Sequence, residues 1–182
     1  MEANGDAPTI SFIHLFDPHE PYRPHPATSS FRASHRSDSD NDRYDAEIAW
    51  VDHHLGQFLE WMRARPSWDR TVVVIDGDHG ESLGEYGMSD HGTGLWEQQI
   101  HVPLIMRVPG APARRVADPV ELIDVLPTLE ELLAVKADGP RHGHSLISHL
   151  LPEDRRGDVT PPSGYAYVQF IRDGESLDSL VE

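Results

Sequence analysis

No cysteine occurs among the 182 residues, which excludes disulfides, thiolate metal ligation and cysteine nucleophiles in one step. Lysine is nearly absent as well: Lys136 stands alone, and the other basic residues are arginines. No apolar run approaches the roughly 18 residues that a membrane span requires, so no membrane association is expected. The opening "MEANGDAP" is acidic and lacks the basic and apolar stretches of a secretory leader. The expectation is a soluble chain, cytoplasmic or of unknown location. Positive charge is scarce overall. At a formal net charge of −16 the chain has no basic patch with which to neutralise phosphates, and nucleic acid is excluded as a partner. An anionic substrate would need local help, such as a metal ion. The surplus of carboxylates has two readings: a hydrated acidic surface adapted to high salt, or a GC-rich genome that encodes arginine over lysine.

What is present alternates between strand-like and helix-like stretches. "TISFIHLF", residues 9–16, is rich in β-branched and aromatic residues and predicts a buried strand. Prolines in "DPHEPYRPHP" then forbid regular structure. Residues 27–42 are polar and Ser/Asp-rich, which predicts a mobile loop. Tyr44, Ile48, Val51, Leu55, Phe58 and Met62 recur at steps of three or four and line one face of a helix to about Arg65, with Asp42 as candidate cap and Pro66 as the stop. "TVVVI" (71–75) and "VPLIMRV" (102–108) predict two more strands, joined by a loop with a short helix over "GLWEQQ". A further helix is expected from Pro119 to Val135, then the apolar piece "HSLISHLL", a linker over 152–163, and a last strand, "GYAYVQFIR". The length fits one domain. The alternation predicts an α/β fold with a mostly parallel sheet flanked by helices, and functional groups gather at the carboxyl edge of such a sheet.

Three motifs could carry chemistry. In "VIDGDHG" a strand empties into Asp78-His79 between glycines, and a carboxylate beside an imidazole suits a divalent cation. The plain alternative is that Asp78 caps a turn and His79 is an exposed loop residue. In "HLFDPHEPY" the ring of His19 sits between two prolines on a stiff turn, as a general acid requires; His25, further on, fits an exposed loop, and His14 fits the core. In "SDHGTGLWE" His91 precedes a short helix whose N–H groups favour anions. The pairs Asp78-His79 and Asp90-His91 lie twelve residues apart. Each motif alone is weak.

Together they form an ordered series. "PHEPY", "YDAEIAWVDHHLGQFLEWM", "TVVVIDGDHGESLGEYG", "DHGTGLWEQQIHVPLIMRVPG", "VELIDVLPTLEELLAV" and "HGHSLISHLL" resemble successive blocks of the sulfatase family, within the alkaline-phosphatase-like superfamily, over roughly residues 9–151. The resemblance implies that Asp78 and His79 are metal ligands, with Ca²⁺ first and Mg²⁺ or Mn²⁺ as alternatives. It implies that His19 contacts the sulfate or leaving-group oxygen. His91 takes the place of the Lys or His in the family's Gly-Lys/His-Gly-Thr turn, which touches the same anion.

The chain also departs from the pattern. The family's two consecutive metal-binding aspartates and its Cys/Ser-x-Pro-x-Arg motif, whose first residue becomes formylglycine, have no counterpart here. The expectation is a single partial sulfatase-like domain over 1–182, lacking the N-terminal strand and nucleophile segment, inactive without a missing N-terminal half. The activity expected of the complete domain is metal-dependent cleavage of a small sulfate ester. Two alternatives are a phosphate or phosphonate diester hydrolase of the same superfamily, and a non-catalytic fragment or interaction module.

Overall fold

The structure is a computed structural model that describes residues 8–23, 25, 39–135, 138–152, 166–172 and 175–181. By its internal contacts the chain divides into two compact units, Met1–Pro66 and Ser67–Glu182.

In the first unit helix α1 spans Asp40–Arg63. Its cap is Ser39, whose hydroxyl accepts from the Asp42 N–H at 3.3 Å, so Asp42 belongs to the first turn and is not the cap. A hydroxyl acceptor just outside the helix, with Asp40 and Asp42 inside, meets the unpaired N–H groups and the positive dipole end together. Helix therefore begins within the tract 27–42 expected as loop; residues 27–38 lie outside the described residues. The expected apolar face is only partly covered, because a short turn packs on α1 in this unit. Ala46 and Glu47 are buried, while Ile48 and Phe58 are exposed. Tyr22, at the end of that turn, sets its ring edge-on to Tyr44 with centroids 5.5 Å apart.

Residues 9–16 form no strand. Ile10 is 84% and Phe12 91% exposed. Their composition reports a propensity for extended backbone, but a strand exists only against a neighbour, and no described residue supplies one. His14, expected in the core, is exposed for the same reason, lying edge-on to Phe16 at 5.5 Å.

The second unit holds β1 (Val73–Asp76), β2 (Ser82–Leu83), β3 (Ser89–Asp90), α2 (Glu97–Ile100), β4 (Leu104–Arg107), α3 (Val125–Leu132), α4 (Ile147–Leu150), β5 (Ala166–Arg172) and β6 (Glu175–Val181). Every strand pairing among the described residues is antiparallel: β1 with β4, β2 with β3, β5 with β6. The two runs expected as strands of a mostly parallel sheet thus pair antiparallel, in the register Val73↔Arg107 to Asp76↔Leu104. An unbroken apolar run reports burial on both faces and says nothing of the direction of the partner. Arg107 locks the pair to the preceding turn, donating to the carbonyls of Trp68 at 2.9 Å and Thr71 at 2.5 Å.

The helix expected over 119–135 is a 3₁₀ turn, Leu122–Asp124, followed by α3. Pro127 explains the late start, since a proline is tolerated in the first turn, where its missing N–H has no partner to lose. Behind α3 lies a buried polar joint. The Thr128 hydroxyl, fully buried, donates to the Asp124 carbonyl at 2.6 Å and accepts from Leu146 N–H at 2.8 Å. Asp124 Oδ1 accepts from His144 N–H at 2.7 Å. Gly143 is required at this joint, because a Cβ there would stand 2.2 Å from the Ile123 carbonyl oxygen. Glu130, on α3, accepts from the Arg141 guanidinium at 2.7 Å and 3.0 Å, and this hydrogen bonding holds its carboxyl below the ordinary range. The linker over 152–163 lies, beyond Pro152, outside the described residues. The last predicted strand is present as β5, and β6 pairs with it in a hairpin that the sequence pattern does not announce. No helix among the described residues is long and apolar enough to cross a membrane.

Candidate functional site

β1 carries the chain straight into Gly77-Asp78-His79-Gly80, and β2 and β3 return it to Asp90-His91. The chain can close in this way because of Gly80. Its N–H donates to the Gln99 carbonyl at 2.7 Å, and a Cβ at this position would lie 2.1 Å from the Gln98 carbonyl oxygen. No side chain fits that approach.

The two pairs are brought together. The rings of His79 and His91 stack with centroids 3.9 Å apart and planes inclined by 27°. His79 Nδ1 lies 2.9 Å from the Gly80 carbonyl oxygen; a carbonyl can only accept, so Nδ1 carries the proton and the lone pair sits on Nε2. That Nε2 is 3.8 Å from Asp78 Oδ2. Two ligands held about 2.0–2.4 Å from one ion span such a separation, so this donor pair fits a divalent cation. Asp78 Oδ1 meanwhile accepts from the His79 N–H at 3.1 Å, so the carboxylate also closes its own turn.

His91 is oriented by carboxylates. Its Nδ1 lies 3.3 Å from Glu81 Oε2 and 3.2 Å from Asp90 Oδ1. Ionised carboxylates accept, so again the proton is on Nδ1. Glu81, Asp90 and His91 offer three ligand atoms within 4.8 Å of one another. Asp90 holds a left-handed backbone, φ 77°, followed by Gly92 at φ 65°, and this turn aims the ring of His91 back at His79.

Gln99, on α2, ties the two loops to each other. Its side chain is buried, and Nε2 donates to Ser82 Oγ at 2.7 Å, Thr93 Oγ1 at 2.7 Å and the Asp90 carbonyl at 3.2 Å. Its Oε1 accepts from Thr93 N–H at 3.3 Å. One residue thus holds the strand after His79 and the turn around His91 at a fixed separation.

His19 belongs to the first unit. It is exposed on the turn after Phe16, whose carbonyl accepts its N–H at 3.1 Å, and the two rings stack at 4.5 Å. Nδ1 lies 2.9 Å from the Glu20 carbonyl oxygen and donates to it. Of the residues singled out in the sequence, the structure brings Asp78, His79 and His91 together; Glu81 and Gln99 were not singled out, and Asp90 was noted only as the partner of His91. Glu81 had a signal, the acidic end of "DHGE". Gln99 had none.

The arrangement, two cation-type donors beside an imidazole directed by carboxylates, is accompanied by a match of residues 1–135 to the sulfatase family model. The chain belongs to the sulfatase family. It is 28% identical over 141 residues to a sulfatase of Formosa agariphila, covering 70% of this chain and 27% of that protein. It is 35% identical over 128 residues to arylsulfatase K of Danio rerio, covering 70% and 24% respectively. A solved structure of BT4656 in complex with its substrate D-glucosamine-2-N,6-O-disulfate aligns with a TM-score of 0.54 at 22% identity, covering 82% of this chain and 32% of its own. At that identity the likeness is one of fold, an alkaline-phosphatase-like one. Sulfatases generally use a divalent metal. The chain spans about a quarter of the length of these curated relatives.

Proposed function

We propose that this chain supplies the downstream metal ligands and the anion contacts of a sulfatase that hydrolyses small sulfate esters. One observation carries the reading: two imidazoles from separate loops stack at 3.9 Å, each with Nδ1 engaged, and a carboxylate oxygen stands 3.8 Å from one Nε2. Asp78 and His79 hold the divalent ion, Ca²⁺ first and Mg²⁺ or Mn²⁺ as alternatives. Such an ion, when bound, withdraws charge from a sulfate oxygen. His91 presents Nε2 to the anion while Glu81 and Asp90 hold its Nδ1 and so orient the ring. His19 contacts the sulfate or leaving-group oxygen from its stiff turn.

The nucleophile is not assigned to these residues. With no cysteine and no Cys/Ser-x-Pro-x-Arg motif, the 182 residues contain no formylglycine precursor. The proposal extends to the sheet: residues 9–16 become a strand of a mostly parallel sheet when the rest of the domain is present. The exposure of Ile10 and Phe12 supports this, as does the quarter-length coverage of the relatives.

The test is turnover of an aryl sulfate by the protein that carries this chain, with and without a chelator. His91→Ala should lower kcat by about 10²–10³-fold, the loss typical of one oxyanion donor, and Asp78→Asn should weaken metal-dependent activation. Faster turnover of a bis-aryl phosphate than of the sulfate would move the reading to the diester hydrolases. No turnover of either, with the fold intact, would leave a non-catalytic module.

A further inference from the structure

His25, which the proline-rich sequence places in an exposed loop, is held in a different setting. Its side chain is 16% exposed, and its ring stacks on Trp50 of α1 at 4.5 Å with planes 11° apart. Its Nε2 contacts Oε2 of Glu47. Glu47 is itself only 2% exposed, and its Oε1 accepts from the Arg23 backbone N–H at 2.5 Å. Asp17 completes a trio: one ligand atom each from Asp17, His25 and Glu47 lie within 4.8 Å of one another.

The trio sets two carboxylates and one imidazole around one point. A buried carboxylate is stable only with compensation, and no arginine or lysine is paired with Glu47 or Asp17 among the described residues. Asp17 has neither hydrogen bond nor ion pair there, yet its carboxylate stands beside a buried one. Asp17 is exposed to water and leaves its oxygens available, and one divalent cation can take a ligand atom from each of the three.

We propose that Asp17, His25 and Glu47 form a binding site for a divalent transition-metal ion, with Zn²⁺ the best match. One imidazole nitrogen and two carboxylate oxygens suit Zn²⁺, at about 2.0–2.2 Å each, with water in the fourth position; Ca²⁺ prefers an all-oxygen set. The surroundings already orient the ligands. Trp50 fixes the plane of the imidazole, and the Arg23 N–H fixes the carboxylate of Glu47, the kind of outer support that metal ligands require. The ion would tie the turn at Asp17, two residues from His19, to the middle of α1. The site uses none of Asp78, His79 or His91, so it stands or falls apart from the hydrolase reading.

The experiment is calorimetric titration of the chain with Zn²⁺, and with Co²⁺ as an optical probe of coordination. One Zn²⁺-binding event should survive the double substitution Asp78→Asn, His79→Gln. It should weaken at least about 10–100-fold in His25→Gln, since losing a ligand costs no less than losing an outer partner, and the visible Co²⁺ bands should disappear. Glu47 is buried, so a change there would also test folding; the exposed Asp17 avoids this, and Asp17→Asn should weaken Zn²⁺ with unchanged circular dichroism. Absence of Zn²⁺ binding, or binding indifferent to both His25→Gln and Asp17→Asn, overturns the proposal.

Discussion

Gln99 receives four hydrogen-bonding partners from two loops, and its worth lies in what those partners lose without it. Ser82 is buried, so removing the amide strands its hydroxyl away from water. Gln99→Leu, close in volume, should therefore destabilise by about 1–3 kcal/mol, measured by urea unfolding. Gln99→Glu should be worse, because it buries a charge facing the oxygens of Ser82, Thr93 and Asp90. Both variants should also separate the stacked rings of His79 and His91, visible as loss of their mutual ring-current shifts. A Gln99→Leu protein as stable as the parent would show that the clamp contributes nothing. Nothing in the sequence marks Gln99, since a glutamine on a short helix is ordinarily solvated. His79 and His91, by contrast, were legible from their Asp-His-Gly context, and so were the glycines that let the backbone approach.

Helices were legible in kind, and their ends were set by individual residues. The step of three and four through Tyr44 to Met62 announced α1, but Ser39 fixed its start. For α3 the same periodicity overshot, because Pro127 and a reciprocal cap, in which the Glu121 and Asp124 carboxylates each accept from the other's backbone N–H, set the start of the α-helical turns at Val125. The joint behind α3 is polar at its centre, and this gives a sharp expectation. Thr128→Val keeps the shape but leaves the Leu146 N–H without an acceptor in a buried site, which should cost about 1–3 kcal/mol by chemical denaturation. Thr128→Ser keeps the hydroxyl and should recover most of it. If valine and serine were equally well tolerated, the hydroxyl would not be what joins α3 to α4. Strand direction was not legible. β1 and β4 have the composition of parallel strands and pair antiparallel.

For the whole molecule the dominant quantity is charge. At −16 the carboxylates repel one another, and salt screens that repulsion with a Debye length of about 30 Å at 0.01 M falling to about 3 Å at 1 M. The expected outcome is a Tm that rises from low to molar salt, followed by circular dichroism. A flat or falling Tm would favour genome composition as the origin of the arginine-for-lysine bias. At this scale the buried hydrophobic side chains among the described residues are few, Tyr22, Ala46, Val108, Leu146, Ile147 and Ala166. The joints at Glu47, Gln99 and Asp124–Thr128 are made by buried polar groups, each satisfied by named partners.

The sequence by itself pointed to the family, to the helical character of the segments at 40–63 and 125–132, and to Asp78, His79 and His91 as candidates, because these depend on local spacing and side-chain chemistry. Only tertiary structure decided that the two Asp-His pairs stack, that Glu81 and Asp90 direct His91, and that His25 leaves its loop for Glu47 and Trp50. Those outcomes depend on which distant backbone supplies the next hydrogen bond or fills the next cavity. Residue order along one chain does not carry that information.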